Sequence, residues 1–393
     1  MSFVASEDAI LDGARTATGL DDFGDGPWRD HFRTLLRAYD AESRLTEAGR
    51  QMVLGEIGGV LAARLTCEAA WKRDPEILGN EIRRPIFILG LPRSGTTALH
   101  FLLGQDPANQ ALEYWLAAAP RPRPPRATWE NEPAFQAAAT TIEWIYQTDP
   151  SLRAIHLLEA DGPEECRHLL LQSFLDHTFD SNATIPSYTK YFEAQDMRPA
   201  YERHRDVLKL IGSPTPERRW VLKYPAHMRE LDVLLAVYPD ACIVQTHRDP
   251  VKVLPSVCSL VTGWRSLYEG SADAKAIGAW QLEMYASMIE HAMDVRARSN
   301  PAHFYDFSFR ELIADPVAAI RRMYEYFGFA PSPDGETRMR AWHESHPQHK
   351  HGGHTYTLEQ FGLVEGEIRG RFARYTDHFD VECESAVEAE SEG

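Results

Sequence analysis

The sequence predicts an α/β fold: a parallel sheet flanked by helices, with a helical region before it and a helical insertion inside it. Three observations carry that reading. Short, wholly apolar runs recur at Ile86-Phe87-Ile88-Leu89, Trp220-Val221-Leu222 and Ala241-Cys242-Ile243-Val244. Segments of helical periodicity separate them. The first run ends in a glycine loop that leads into a helical pattern, Ala98-Leu99-His100-Phe101-Leu102-Leu103. Strands buried on both faces read as unbroken apolar runs, and parallel strands need helical crossovers.

Residues 1–84 form the helical region. Asp30 to Leu45 and Thr46 to Trp71 carry apolar residues at three- and four-residue spacing: Phe32, Leu35, Leu36 and Tyr39, then Ile57, Val60, Leu61 and Leu65. Pro85 marks the boundary to the α/β domain, residues 85–376. Within it, residues from about 120 to 219 read as an insertion, Pro/Arg-rich at first and helical later, with Trp129, Phe135, Trp144, Phe174, Phe179 and Tyr188 among its aromatics. A fourth apolar run, His303 to Phe307, precedes the helical stretch Val317 to Phe327. Residues 377–393 hold seven acids and no Lys or Arg, a solvated tail by composition.

A net charge of −17 over 393 residues argues against a nucleic-acid or anionic-membrane surface, which needs accumulated cations. Any anionic ligand must therefore be gripped by a local cluster. The five cysteines (Cys67, Cys166, Cys242, Cys258, Cys383) are scattered and form no C-x-x-C. That argues against a disulfide framework or zinc ribbon and for a reducing compartment. The first residues are acidic where a signal peptide is basic, and no run approaches the ~18 apolar residues of a membrane span. The expectation is a cytoplasmic protein.

The chemistry begins at Gly90-Leu91-Pro92-Arg93-Ser94-Gly95-Thr96-Thr97, between strand and helix. It has the spacing of G-x-x-x-x-G-K-[ST], which makes the sheet P-loop-like, but Thr96 stands in the lysine position. Backbone N–H groups of such a loop and helix start hold a phosphate-like anion, so Arg93, Ser94, Gly95, Thr96, Thr97 and Ala98 form the candidate cradle. An NTPase needs that lysine to neutralise the transferred group. Here the cation sits three residues earlier, at Arg93, which suits a shorter chain of anions. A second anion site follows the run at Ala241: Arg248, with Asp249 as a helix cap, Pro250 in the first turn and Ser256 on that helix. A guanidinium and a hydroxyl converging there suit a phosphomonoester.

Pro92-Arg93-Ser94-Gly95-Thr96-Thr97 resembles the 5′-phosphosulfate loop of sulfotransferases, in the Arg-bearing form of a large bacterial group. The resemblance continues at Trp220 to His227 (WVLKYPAH), at Thr246-His247-Arg248-Asp249-Pro250 with Ser256, at His351 to Tyr356 and at Glu359 to Leu363. It extends to Gly19, Phe23-Gly24-Asp25 and Arg44-Leu45 near the start, and so spans nearly the whole chain. It implies 3′-phosphoadenosine-5′-phosphosulfate as donor and no metal. It implies that Arg248 and Ser256 hold the 3′-phosphate and that Lys223 is the transition-state lysine. Lys350 is placed by analogy in a lid near the nucleotide. The acceptor is implied to be a small molecule bearing a hydroxyl, apolar or lipid-like from the aromatics of the insertion; a homo-oligomer is compatible with this.

Two residues compete for the acceptor base. Glu113 lies twenty residues after Arg93, near a catalytic glutamate of related enzymes, although Trp115-Leu116 stands where group members carry Trp-Glu. His227 follows Lys223 by four and offers an imidazole suited to neutral pH. His156 and Glu164 are next in line. The histidine-rich run 343–354 has no familiar closed metal spacing and reads as a loop. Two other classes stand against the transferase reading: a P-loop kinase, disfavoured by Thr96, and a non-catalytic nucleotide-binding protein.

Overall fold

The computed structural model describes residues 2–148, 157–346 and 356–384. Its centre is a five-stranded sheet, all pairs parallel: β1 (Ile86–Gly90), β2 (Asn109–Ala111), β3 (Arg219–Lys223), β4 (Cys242–His247) and β5 (Phe304–Ser308), in the order β2-β3-β1-β4-β5. Ile86 pairs with Val221 on one side and Cys242 on the other.

Each apolar run divides its side chains between two cores, as the two-residue period of a strand requires. Phe87 and Leu89 of β1, Leu222 of β3 and Ile243 of β4 enter one core; Ile86, Ile88, Val221 and Val244 enter the other. The second core is closed by Leu99, Leu102 and Leu103 of α4 (Thr96–Gly104) and by Val317, Ile320 and Met323 of the helix Pro316–Phe327.

The first core is the larger, and it unites the sheet with the N-terminal helices and the insertion. Helices α1 (Glu7–Thr18), α2 (Trp28–Glu42) and α3 (Glu47–Arg73) precede the sheet. Thr46 caps α3 by accepting from the Gly49 N–H at 2.9 Å. Gly49 lies so close to the helix Pro250–Glu269 that a Cβ would stand 1.9 Å from the Tyr268 carbonyl oxygen. Buried Arg64 donates to the carbonyls of Phe23 (2.6 Å), Asp25 (3.0 Å) and Gln172 (3.0 Å), fastening the loop before α2 to the insertion. α5 (Tyr114–Ala118) precedes the insertion, which contains α6 (Pro133–Thr148), then shorter helices and the amphipathic helix Arg198–Ile211.

The three-residue β2 was not foreseen, because Asn109-Gln110-Ala111 offers no apolar run; Asn109 is instead satisfied by the Leu103 carbonyl (2.8 Å) and the Tyr324 hydroxyl (2.7 Å). The described part of the tail, residues 377–384, is mostly exposed, with Glu382 paired to Arg310 at 2.7 Å and Glu384 to Arg248 at 2.8 Å. Among the described residues no helix is long and apolar enough to cross a membrane.

Candidate active site

A large cleft, about 3090 Å³, opens at the carboxyl ends of β3, β1 and β4. The chain runs from β1 to β3 on one side and to β4 on the other, so the cleft lies where the strand order reverses, the usual ligand position in open α/β sheets.

The loop after β1 forms its floor. Gly90 has φ 130°, and a Cβ there would lie 2.5 Å from the Thr246 carbonyl oxygen, so only glycine lets β1 turn this close to β4. Arg93, at φ 65°, and Gly95, at φ 90°, both adopt the left-handed region. A non-glycine residue in that region is uncommon. Ser94 is fully buried; its hydroxyl meets the Thr246 hydroxyl at 2.6 Å and bonds the Leu91 carbonyl, which ties the loop to β4. Gly95, Thr96, Thr97 and Ala98 line the cleft, and the first-turn N–H groups of α4 have no partners within the helix. Arg93 lines the cleft from the loop.

On the β4 side, Asp249 caps the helix Pro250–Glu269 by accepting from Val251 N–H at 2.9 Å, with Pro250 in the first turn. This fixes Arg248. Its guanidinium stacks over Phe309 (3.7 Å to the ring centre) and donates to the Arg93 carbonyl at 2.8 Å. It also donates to both carboxylate oxygens of Glu384, at 2.8 and 2.9 Å. Ser256 lines the cleft from the same helix. The fork of Arg248 is thus shaped for a bidentate oxyanion, and a carboxylate demonstrates the fit.

On the β3 side, Lys223 ends the strand almost wholly buried, and its ammonium donates to Glu165 at 2.6 Å. Glu165 arrives from the insertion. The Glu164 N–H donates to the Leu112 carbonyl (2.7 Å) and the Cys166 N–H to the Lys223 carbonyl (3.0 Å), which stitches this loop to the end of β3. Arg167 stands 3.8 Å from Glu165, and His168 meets Tyr114 edge-on.

Arg93, Thr96, Thr97, Ala98, Lys223, Arg248 and Ser256 therefore share one cleft. The two candidate bases are not among its lining residues, and each has a physical reason. Glu113 is bound by Arg123 at 2.9 and 3.2 Å, and Arg123 is itself held by Gln110 and the Ala111 carbonyl. Burial raises the Glu113 carboxyl above its ordinary value although Arg123 pulls the other way. His227 lies fully buried under β1, its Nδ1 2.7 Å from the Tyr201 hydroxyl and its ring edge-on to Phe87. Burial holds its pKa well below the usual imidazole range. Glu164 is buried beside the cleft, where its carboxylate accepts the Glu165 N–H at 2.8 Å. Lys350 and His156 lie outside the described residues, as does most of the histidine-rich run. Of that run, His346 stacks on Trp342 and hydrogen-bonds its carbonyl, at 2.9 Å.

Glu165 is the residue that sequence reasoning passed over. Its signal was faint but present: Glu164-Glu165-Cys166-Arg167-His168 is a dense charged cluster leading into the apolar Leu169-Leu170-Leu171.

A family model described as "Sulfotransferase family" matches residues 85–333. The omega-hydroxy-beta-dihydromenaquinone-9 sulfotransferases Stf3 of Mycobacterium bovis and Mycobacterium tuberculosis are 27% identical over 305 residues, covering 73% of this chain and 74% of theirs. The crystal structure of sulfotransferase STF1 from Mycobacterium tuberculosis is 38% identical, with TM-score 0.86, over 95% of this chain and 100% of that one. Sulfotransferase STF9 from Mycobacterium avium is 30% identical, with TM-score 0.88, over 96% of this chain and 97% of that one. The family match starts one residue before β1 and runs past β5, and the solved relatives align almost end to end; the chain belongs to the sulfotransferase family.

Proposed function

We propose that the protein transfers the sulfuryl group of 3′-phosphoadenosine-5′-phosphosulfate to a hydroxyl of an apolar, lipid-like acceptor. One observation carries the reading: a single cleft joins the glycine-loop cradle, the Arg248 fork and buried Lys223, and continues into an apolar wall. The two cation sites lie on either side of β1, as a donor with anionic groups at both ends of its ribose requires. Arg248 and Ser256 would hold the 3′-phosphate, the cradle from Arg93 to Ala98 the 5′-phosphosulfate. Met52, Val60, Leu171, Leu260, Trp264 and Met288 line the acceptor side. Its chemistry suits the apolar body of a lipid-like alcohol, and the Stf3 relatives, named for a menaquinone-derived substrate, support that class. The five cysteines are unpaired, which supports a cytoplasmic location.

The donor supplies an electrophilic sulfur and a phosphate leaving group. The chain's part is positioning and charge dispersal, the main resources of such transfers. Arg93 and Lys223 supply positive charge where kinases use magnesium. Chelation by EDTA is accordingly expected to leave turnover unchanged; loss of activity restored by magnesium would contradict this. Comparing sulfated lipids from cells with and without the gene tests the acceptor class. The expected difference is one or more hydroxyl-derived sulfate esters of apolar lipids, whereas a difference confined to polar metabolites would overturn that part of the reading.

Glu384 competes with the donor for Arg248. Both side chains are about one-quarter exposed, so the pair is worth little, ~1 kcal/mol or less. Glu384→Gln is expected to tighten binding of adenosine 3′,5′-bisphosphate by about two- to five-fold, by the same small energy. Titration calorimetry would read the change, and weaker binding would show that Glu384 supports the site instead.

A further inference from the structure

We infer that Glu165 is the general base that takes the proton from the acceptor hydroxyl, an assignment that rests on the sulfuryl-transfer reading above. The geometry points to it. Among the described carboxylates, Glu165 is the one bonded to Lys223, at 2.6 Å, and both line the cleft. Other acids that line the cleft have partners of their own: Asp249 caps a helix, Asp306 is clamped by Arg296 and His247, Glu56 is held by Tyr268 and Asn182, and Glu384 by Arg248. Glu113 and His227, the bases that spacing suggested, do not reach the cleft.

The backbone explains how this carboxylate is aimed. The loop that bears Glu165 is stitched on both flanks, Glu164 N–H to Leu112 and Cys166 N–H to the Lys223 carbonyl, so its side chain is directed over the end of β3. The base must stand within hydrogen-bond reach of the hydroxyl that attacks sulfur, and the lysine on the sulfuryl or leaving side. The two side chains, 2.6 Å apart on the cleft wall, put a carboxylate and an ammonium side by side where an acceptor hydroxyl and a phosphosulfate would meet.

The step balances. The acceptor oxygen forms a bond to sulfur while its proton passes to Glu165. The bond from sulfur to the bridging oxygen breaks with its electron pair, and the charge on the departing adenosine 3′,5′-bisphosphate is offset by Lys223. Glu165 then returns the proton to water.

Glu165→Gln keeps the size and the contact to Lys223 but cannot accept the proton. Expected are a loss in kcat of about 10²-fold or more and disappearance of the pH–rate limb that rises as the base deprotonates. Affinity for adenosine 3′,5′-bisphosphate should stay within a few-fold, and Glu165→Asp should recover part of the rate. A purely structural partner of Lys223 would leave the limb in place. A glutamine variant that keeps wild-type kcat, or keeps the limb, overturns the assignment while wild-type transfer leaves the proposed function standing. No transfer by the wild type on any lipid alcohol overturns both. Should the glutamine variant fail to fold, the wild-type profile and Glu165→Asp decide: a profile without a rising limb, or an aspartate variant with unaltered limb and rate, overturns the assignment.

Discussion

Lys223→Ala is expected to lower kcat by on the order of 10²–10³-fold while affinity for adenosine 3′,5′-bisphosphate changes only modestly. The ammonium is held at the end of β3 with almost no solvent exposure, where a charge acts far more strongly than in water. Its proposed contact grows only as negative charge develops on the leaving phosphate, so its removal falls on the rate and not on ground-state binding. The cut also leaves Glu165 without its nearest cation, beside Arg167 at 3.8 Å. A conformational check therefore belongs with the kinetics: nucleotide affinity near wild type shows that the cleft survives. Equal losses in affinity and kcat would make Lys223 a binding residue, and unchanged kcat would remove it from the mechanism.

Arg248→Ala is expected to weaken binding of adenosine 3′,5′-bisphosphate by about one to two decades, the usual worth of a charge-assisted contact. Binding of the analogue that lacks the 3′-phosphate should barely move. The selectivity follows from where the guanidinium is held, stacked on Phe309 and offering both donors of its fork to a single oxyanion, as it does to Glu384. Titrating both ligands against both proteins closes a double cycle. Equal loss for the two ligands would place the 3′-phosphate elsewhere.

The sheet was legible because β1, β3 and β4 are each built around a short unbroken apolar run, as a strand buried on both faces needs. β2 was hidden because an edge strand of Asn109-Gln110-Ala111 satisfies polar side chains locally, and nothing in its pattern signals a strand. The cations of the site were legible for a related reason: Arg93, Lys223 and Arg248 each sit where a strand ends, and in a parallel sheet those ends converge. The base was not, since spacing along a chain does not say which way a side chain turns. The short turn Pro225–Met228 carries His227 inward under Phe87. Arg123, ten residues after Glu113, draws that carboxylate away from the cleft. Glu165 meets Lys223 across 58 residues through backbone bonds that exist only once the insertion has docked. The acidic composition of the tail favours water, and its described residues are mostly exposed; Arg248 and Arg310 still offer Glu384 and Glu382 a partner there.

In the proposed reaction this one cleft moves a sulfuryl group from a 3′-phosphorylated adenosine donor to a lipid alcohol. Its most direct test is to incubate the purified protein with sulfur-labelled 3′-phosphoadenosine-5′-phosphosulfate and a panel of long-chain alcohols and isoprenoid alcohols, and to follow the label. Label is expected in a lipid sulfate ester, with one equivalent of adenosine 3′,5′-bisphosphate released for each ester formed. Tight binding of the donor with no transfer to any acceptor, or transfer of phosphate from ATP in its place, would contradict it.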